Sequence, residues 1–392
     1  MHFGEAEYVT RVCGELVRIN SVNPVLVPGA PGEREIAAYV ADEMSTLGLE
    51  VSRHEPASGR VSVVGRLRGT GGGEGGTRDG GRSLMLHAHS DTVGVEEMDD
   101  PFGGMVREGR LYGRGAYDMK AGLAACLGAV RAIRTWGIPL RGDVVVAAVA
   151  DEEYSSLGTA DLVTHTRTDA AIVTEPTGLC VCLAHKGYCW IEVVTEGRAA
   201  HGSRFQEGVD ANLRMGWFLA ALDGLERDLR ARPPHPLVGP PSLHAALLRG
   251  GSGLSTYAAS CTLQIERRTV PGETVAQVEA EIRELLDAVA RREPTFRATA
   301  RVFFHREPFE VRPDAPIVQA VARAAEQVLG RPPQFVGDTP WMDAALLAAA
   351  GIETVVFGPT GAGAHSAVEW VDLQSVVHCA EVLARTAIGY CA

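Results

Sequence analysis

The sequence predicts an α/β domain interrupted by a smaller α+β unit, on three observations. Fully apolar strands alternate with amphipathic helical stretches through the first 186 residues. From 187 to 307 the pattern changes to half-apolar, alternating strands separated by two long helices. From 308 the first style returns. We therefore expect one domain built from 1–186 and 308–392, a mixed sheet flanked by helices, and a second built from 187–307.

Each element has its own signal. Residues 5–20 and 33–48 space their apolar side chains for amphipathic helices. SVNPVLVPGAPGE between them is turn-rich. RVSVVGRL (60–67) and SLMLH (83–87) read as strands, and RGTGGGEGGTRDGG between them as a flexible hairpin tip. That stretch joins two strands instead of opening a helix, so it lacks the context of a phosphate loop. A helix is expected at 119–136. DVVVAAVA (143–150) and AIVTEP (171–176) read as buried strands of a mostly parallel sheet. In the second domain YCWIEVVTEG, SLHAALLRGG, YAASCTLQIERR and FRATARVFF read as strands, with helices at 210–231 and 273–292. Helices PIVQAVARAAEQVL and WMDAALLAAAG and strand ETVVFG follow.

Composition narrows the function. Of 392 residues 46% are hydrophobic and 22% charged, which excludes wholesale disorder. Acidic residues outnumber basic ones 49 to 37, a formal charge of −12 that argues against nucleic acid as a partner. The N-terminal stretch MHFGEAEYVTRVCGELVRIN has no signal-peptide pattern, and no apolar run reaches the ~18 residues of a membrane span. The eight cysteines include no CxxC pair. Cys180 and Cys182 face one side of a strand and read as buried thiols. A reduced, cytoplasmic protein is the expectation. Lys120 and Lys186 are the only lysines.

Four segments carry chemistry, each at or just past the end of an expected strand, where open α/β sheets build their sites. In LMLHAHSDTV, His89 and Asp91 are two apart and point to one side when extended. Asp91 can then hydrogen-bond the ring of His89 or act more broadly through its charge. His87 lies on the same face. In LYGRGAYDMKAG, Asp118 sits at a loop-to-helix junction and reads either as an N-cap or as a carboxylate bridging two metals. In VVVAAVADEEYSSLGT, Asp151, Glu152 and Glu153 repel one another unless cations compensate, and otherwise form a solvated turn. A division of labour there sets one Glu on a metal and its neighbour as base. In FGPTGAGAHSAVEW, His365 lies in a Gly-rich loop past an apolar strand, and Glu175 ends another strand. His89, Asp118, Glu153, Glu175 and His365 form a nitrogen–oxygen donor set without thiolate. It suits Zn²⁺, with Co²⁺ or Mn²⁺ less exclusively served. With Asp118 bridging, each of two metals has three protein ligands and an open position.

HAHSDTV, GRGAYDMKAG, ADEEYSSLGT, TEPT, GRAAHGS, ERRTVPGE and GPTGAGAHSAVEW occur in this order. The set resembles the acetylornithine deacetylase, succinyl-diaminopimelate desuccinylase, aminoacylase and carboxypeptidase G family of zinc hydrolases, over nearly the whole chain. The resemblance implies an aminopeptidase-like catalytic domain with two metals and an inserted lid through which two chains form a homodimer. It implies that His89, Asp118 and Glu175 hold one metal and Asp118, Glu153 and His365 the other. Glu152 becomes the general base and Asp91 the residue that orients His89. His201 resembles the lid histidine that reaches the partner chain's site to stabilise an oxyanion. Arg268 resembles the arginine that grips the substrate carboxylate. The implied reaction is hydrolysis of the amide of an N-acyl-L-amino acid, with a dipeptidase or carboxypeptidase as the alternative. Glu175 resembles the deacetylase and desuccinylase branch. Two places depart from the family pattern: Ser255 stands near a usual lid Asn, and Trp341 and Met342 precede the matching Asp343.

Overall fold

The computed structural model describes residues 3–71 and 81–392. Of the expected hairpin tip, residues 72–80 lie outside the described residues. The chain divides into two compact units. The first is Met1–Leu183, Val311–Val336 and Met342–Ala392, and the second is Ala184–Glu310 with Gly337–Trp341.

The first unit is built on a mixed sheet. Strands Glu50–Ala57, Arg60–Leu67, Val144–Val149, Leu84–His89, Ala170–Val173, Glu353–Val356 and Val181–His185 lie side by side in that order. The sheet is parallel only through its centre, from Val144–Val149 to Glu353–Val356. Antiparallel strands border that centre on both sides, so it is less parallel than its sequence suggests. The central strands Val144–Val149 and Leu84–His89 are buried at every position. That is why Val144–Val149 is continuously apolar instead of alternating, and why Leu84–His89 departs from that pattern only at His87 and His89.

The hairpin expected between 60–67 and 83–87 does not form. Both strands flank Val144–Val149, and Arg60–Leu67 makes its hairpin with Glu50–Ala57. Strand Glu50–Ala57 was invisible in the sequence because it is mostly polar, carries Pro56 and stands at the sheet edge. Helices Ala6–Arg18, Ala121–Trp136, Pro316–Leu329 and Leu373–Tyr390 pack on one another, while Arg34–Thr46 packs on Arg60–Leu67. A small sheet that the sequence did not announce pairs Met105–Arg107, Arg110–Tyr112, Trp370–Asp372 and Gly361–Ala362. Its strands are two or three residues long, too short for any periodicity to register.

The second unit is a four-stranded antiparallel sheet, ordered Ser242–Gly250, Ser260–Thr269, Gly187–Glu196, Ala298–Arg306. Helices Ala211–Ala231 and Val275–Arg292 cover it with a core that includes Phe218, Leu222, Ile282, Ile191, Val193 and Leu263. Strands Gly187–Glu196 and Ser260–Thr269 alternate buried and half-buried positions, as expected of a sheet covered on one face. The first helix is capped by Asp210, which accepts from the backbone N–H of Asn212. The second begins with a reciprocal pair between Thr274 and Gln277.

None of the eight cysteines forms a disulfide, and all but Cys180 are buried. Among the described residues no helix is long and apolar enough to cross a membrane. Both lysines have internal roles. Lys120 donates to the Ile19 carbonyl at 2.7 Å and Lys186 to that of Pro240 at 2.6 Å.

Candidate metal centre

The carboxyl ends of the central strands and the loops that follow them bring the predicted residues of the first unit together. His89 is the last residue of its strand and 1% exposed. Its Nδ1 lies 3.0 Å from the main-chain carbonyl of Asp91, an acceptor, so Nδ1 carries the proton. In the neutral ring Nε2 keeps its lone pair for a cation, and without one the surrounding carboxylates favour a proton there. Nε2 stands 3.2 Å from Asp118 Oδ1, 3.5 Å from Glu175 Oε1 and 4.0 Å from Glu152 Oε2. On the other side of Asp118, His365 Nε2 is 3.4 Å from Oδ2 and 3.0 Å from Glu153 Oε2. One carboxylate thus offers its two oxygens to two different imidazoles.

Asp118 is not a helix cap. It lies in a wide turn over Ala116–Lys120, and the following helix Ala121–Trp136 has no side-chain cap. That turn is held by a residue the sequence did not single out. Glu369 Oε1 accepts from the backbone N–H groups of Tyr117 and Asp118, at 2.8 and 3.0 Å. Its Oε2 accepts from Gly115 N at 3.1 Å and from the Arg114 guanidinium at 2.7 Å. The small sheet brings this about by pairing Arg110–Tyr112 with Trp370–Asp372.

A second unannounced support lies under the Glu152–Glu153 turn. Asp91 accepts from Glu152 N at 3.0 Å, Glu153 N at 3.3 Å and Asn23 Nδ2 at 2.8 Å. Asn23 and Arg60 also bind Asp151, at 3.0 and 2.9 Å, and Arg60 reaches Glu33 at 2.5 Å. All five of these side chains are buried. Asp151 and His365 hold positive φ, 70° and 60°, uncommon for residues with a Cβ. At Asp151 the turn is locked by its carbonyl, which accepts from the N–H groups of Ser155 and Ser156. Glu175 is placed two residues beyond strand Ala170–Val173, where a Cβ at Gly358 would collide with its carbonyl. No substitution with a side chain fits there without moving the Glu175 backbone.

His87, two residues back along the His89 strand, does not join the cluster. It is buried with its Nε2 2.7 Å from Thr159 Oγ1, and Thr159 in turn donates to Asp343 at 2.6 Å. Met342 is buried beside it in the chain, and Trp341 donates to the Glu307 carbonyl at 3.0 Å.

The electrostatics describe a site with too much negative charge. Burial raises the pKa of Glu152, Glu153 and Glu175, and neighbouring carboxylates add to the effect while His89 opposes it. Burial acts on Asp118 in the same sense, but hydrogen bonds from His365 and His89 outweigh it and hold that carboxyl well below the usual range. His365 is raised to about 10 by its bonds to Asp118 and Glu153. Burial disfavours the His89 cation, yet Glu175, Asp118, Asp91 and Glu152 together raise its pKa well above normal. Glu153 Oε1 is buried with no hydrogen-bond partner. His89 with Asp118 and Glu153, and His89 with Glu152 and Glu175, each gather ligand atoms within 4.8 Å of one another. A buried oxygen without a partner, crowded carboxylates and imidazole nitrogens fit divalent cations.

His201 and Arg268 belong to the second unit. His201 is exposed, with Nδ1 2.8 Å from Ser203 Oγ. Ser255, beside it, accepts from Gly202 N at 2.8 Å through its carbonyl. Arg268 Nε donates to Glu266 at 2.7 Å, and its guanidinium lies 5.2 Å from the centre of the Tyr188 ring. Its neighbour Arg267 is buried and committed to Glu273 and Glu281. Alternation along the strand thus separates an anchored arginine from a half-buried one.

The fold and the site define a class: α/β proteins with a carboxylate–imidazole centre at the strand ends, suited to two divalent cations. Residues 85–388 match Peptidase family M20/M25/M40, and the chain belongs to that family. Acetylornithine deacetylase of Myxococcus xanthus is 32% identical over 324 residues, covering 81% of this chain and 83% of that protein. N-formyl-4-amino-5-aminomethyl-2-methylpyrimidine deformylase of Bacillus subtilis (strain 168) is 28% identical over 394 residues, covering 93% and 91%. Among solved structures, aminopeptidase PepT from Bacillus cereus superposes with a TM-score of 0.78 at 19% identity, covering 99% of each chain.

Proposed function

We propose that this protein hydrolyses the amide bond of an N-acyl-L-amino acid, releasing a carboxylate and the free amino acid. The observation that carries the reading is Asp118, with one oxygen facing His89 and the other facing His365. In this reading His89, Asp118 and Glu175 hold one divalent cation and Asp118, Glu153 and His365 the other. The donor set favours Zn²⁺, with Co²⁺ or Mn²⁺ as substitutes. The pair of cations supplies Lewis acidity at the acyl carbonyl and lowers the pKa of a water.

The chain's own residues do the rest. Glu152, whose backbone N–H is tied to Asp91, takes the proton of the attacking water at Oε2 and delivers it to the departing amine. Asp91 positions both His89 and the Glu152 turn. His201 donates to the oxyanion from the second chain of a homodimer. Arg268 binds the substrate carboxylate. The dimer reading is supported by strand Ser242–Gly250, an edge strand exposed along most of its length that presents Leu247 and Leu248 to solvent. A cytoplasmic location is proposed on the unpaired cysteines.

The test is a substrate panel run on Zn²⁺- and Co²⁺-loaded protein: N-acetyl and N-succinyl amino acids, an N-formyl amine and dipeptides. N-acyl amino acids are expected to be the best substrates by kcat/KM. Dipeptides turning over faster would replace the proposal with a dipeptidase, and hydrolysis of none would overturn it.

A further inference from the structure

Among the described residues one further group of metal-ligating side chains stands apart from the centre above: His54, Asp161 and His165. His54 lies on the edge strand Glu50–Ala57. Asp161 and His165 are four apart on helix Leu157–His165, and so share one face. The two rings meet with centroids 3.9 Å apart, and His165 Nε2 stands 3.0 Å from His54 Nδ1. Asp161 Oδ2 is 3.5 Å from the same Nε2. All three ligand atoms lie within 4.8 Å of one another.

The outer nitrogens determine what the inner ones can do. His165 Nδ1 is 3.3 Å from the Leu162 carbonyl, which only accepts, so Nδ1 carries the proton and Nε2 of the neutral ring presents a lone pair. His54 Nε2 is 3.0 Å from Ser52 Oγ, a hydroxyl able to donate or accept. Without a metal, His54 Nδ1–H donates to His165 Nε2 and Ser52 donates to His54 Nε2. When the His54 proton moves to Nε2, Ser52 becomes the acceptor and both inner nitrogens have free lone pairs. Two metal–nitrogen bonds of about 2.0–2.1 Å at a tetrahedral angle span about 3.3 Å and set the ring centres about 5 Å apart, so the nitrogens are already near the required spacing and an ion enters as one ring turns outward from the present 3.9 Å separation. Asp161 adds a negative charge, and the exposed side of His165 leaves room for water as a further ligand.

We propose that His54, Asp161 and His165 form a further divalent-cation site for a borderline ion of the Zn²⁺ or Cu²⁺ type. A bound ion ties the edge strand to the helix that directly follows the Asp151–Ser156 turn. The site is independent of the reaction proposed above.

The experiment is equilibrium dialysis of the full-length protein against micromolar Zn²⁺ with metal counted by mass spectrometry. The wild type is compared with a His54→Gln, His165→Gln variant, each in a His89→Ala background as well. The expected result is one bound equivalent fewer in the double variant in both backgrounds. Equal counts overturn the site whatever the total, while a drop caused by His89→Ala alone reports on the main centre. Cu²⁺ added to Zn²⁺-loaded wild type supplies a second measurement that needs no variant. Electron paramagnetic resonance is expected to show coupling to two nitrogens, and a spectrum without nitrogen coupling overturns the site.

Discussion

Glu152 and Glu153 are neighbours in the chain with opposite duties in the proposed reaction, and Asp91 is what separates them. It holds both backbone N–H groups, so the two side chains leave the turn towards different imidazoles. Glu152→Gln is therefore expected to keep its metal by elemental analysis while kcat falls by at least about 100-fold. A variant that keeps more than about a tenth of wild-type turnover removes Glu152 from the role of base. His87 carries a prediction of another kind. Burial, and then the charge of His89, pushes its pKa down to about 3, against an unfolded value near 6.5. Between those values the unfolded chain binds a proton that the folded chain refuses, so stability falls as pH falls. The slope is about 1.4 kcal/mol per pH unit below pH ~6.5, with no contribution above it. Denaturation of wild type and His87→Gln across pH 4–8 checks this. The difference between them is expected to change below pH 6.5 and stay level above.

At the scale of elements, the short sheet that joins Arg110–Tyr112 to Trp370–Asp372 decides where Asp118 stands. Glu369 gathers four donors from the strand-to-turn segment Arg114–Asp118. Its pairing with Arg114 is almost wholly buried, and removing one member of such a pair costs about 3–5 kcal/mol. Glu369→Ala is expected to lower the melting temperature and, separately, to weaken metal retention on dialysis against a chelator. A variant that melts early yet retains metal like the wild type makes Glu369 a purely structural residue. None of this was legible beforehand. HAHSD, DMK, DEE and AHS stood out because acids and imidazoles cluster there at strand ends. Glu369 lies in FGPTGAGAHSAVEW, where only His365 was read as a ligand, and Asn23 and Arg60 lay in segments with no ligand pattern. Edge strand Glu50–Ala57 escaped for a related reason, since it buries too little to show an apolar period.

For the whole molecule, the prediction concerns two chains. His201 and Glu152 sit in different units of one chain, and the proposed reaction takes His201 from the partner. Separately inactive His201→Ala and Glu152→Ala chains, mixed and allowed to exchange, are expected to regain activity through hybrids in which one of the two sites is intact. Hybrids shown to form by mass spectrometry yet lacking activity refute the cross-chain assignment. By itself the sequence determined the α/β plan, its long helices, its fully apolar strands and the side chains that converge in the first unit. Those features rest on local periodicity and on residue chemistry, which are written along the chain. Only the tertiary structure decided the strand order that denied a hairpin to 60–67 and 83–87. It also decided the two faces of Asp118 and the buried partners Asn23, Arg60, Glu33 and Glu369 that hold the ligand-bearing turns. Such choices depend on which distant segments share a sheet edge and which polar groups lose their water there, and no local pattern encodes either.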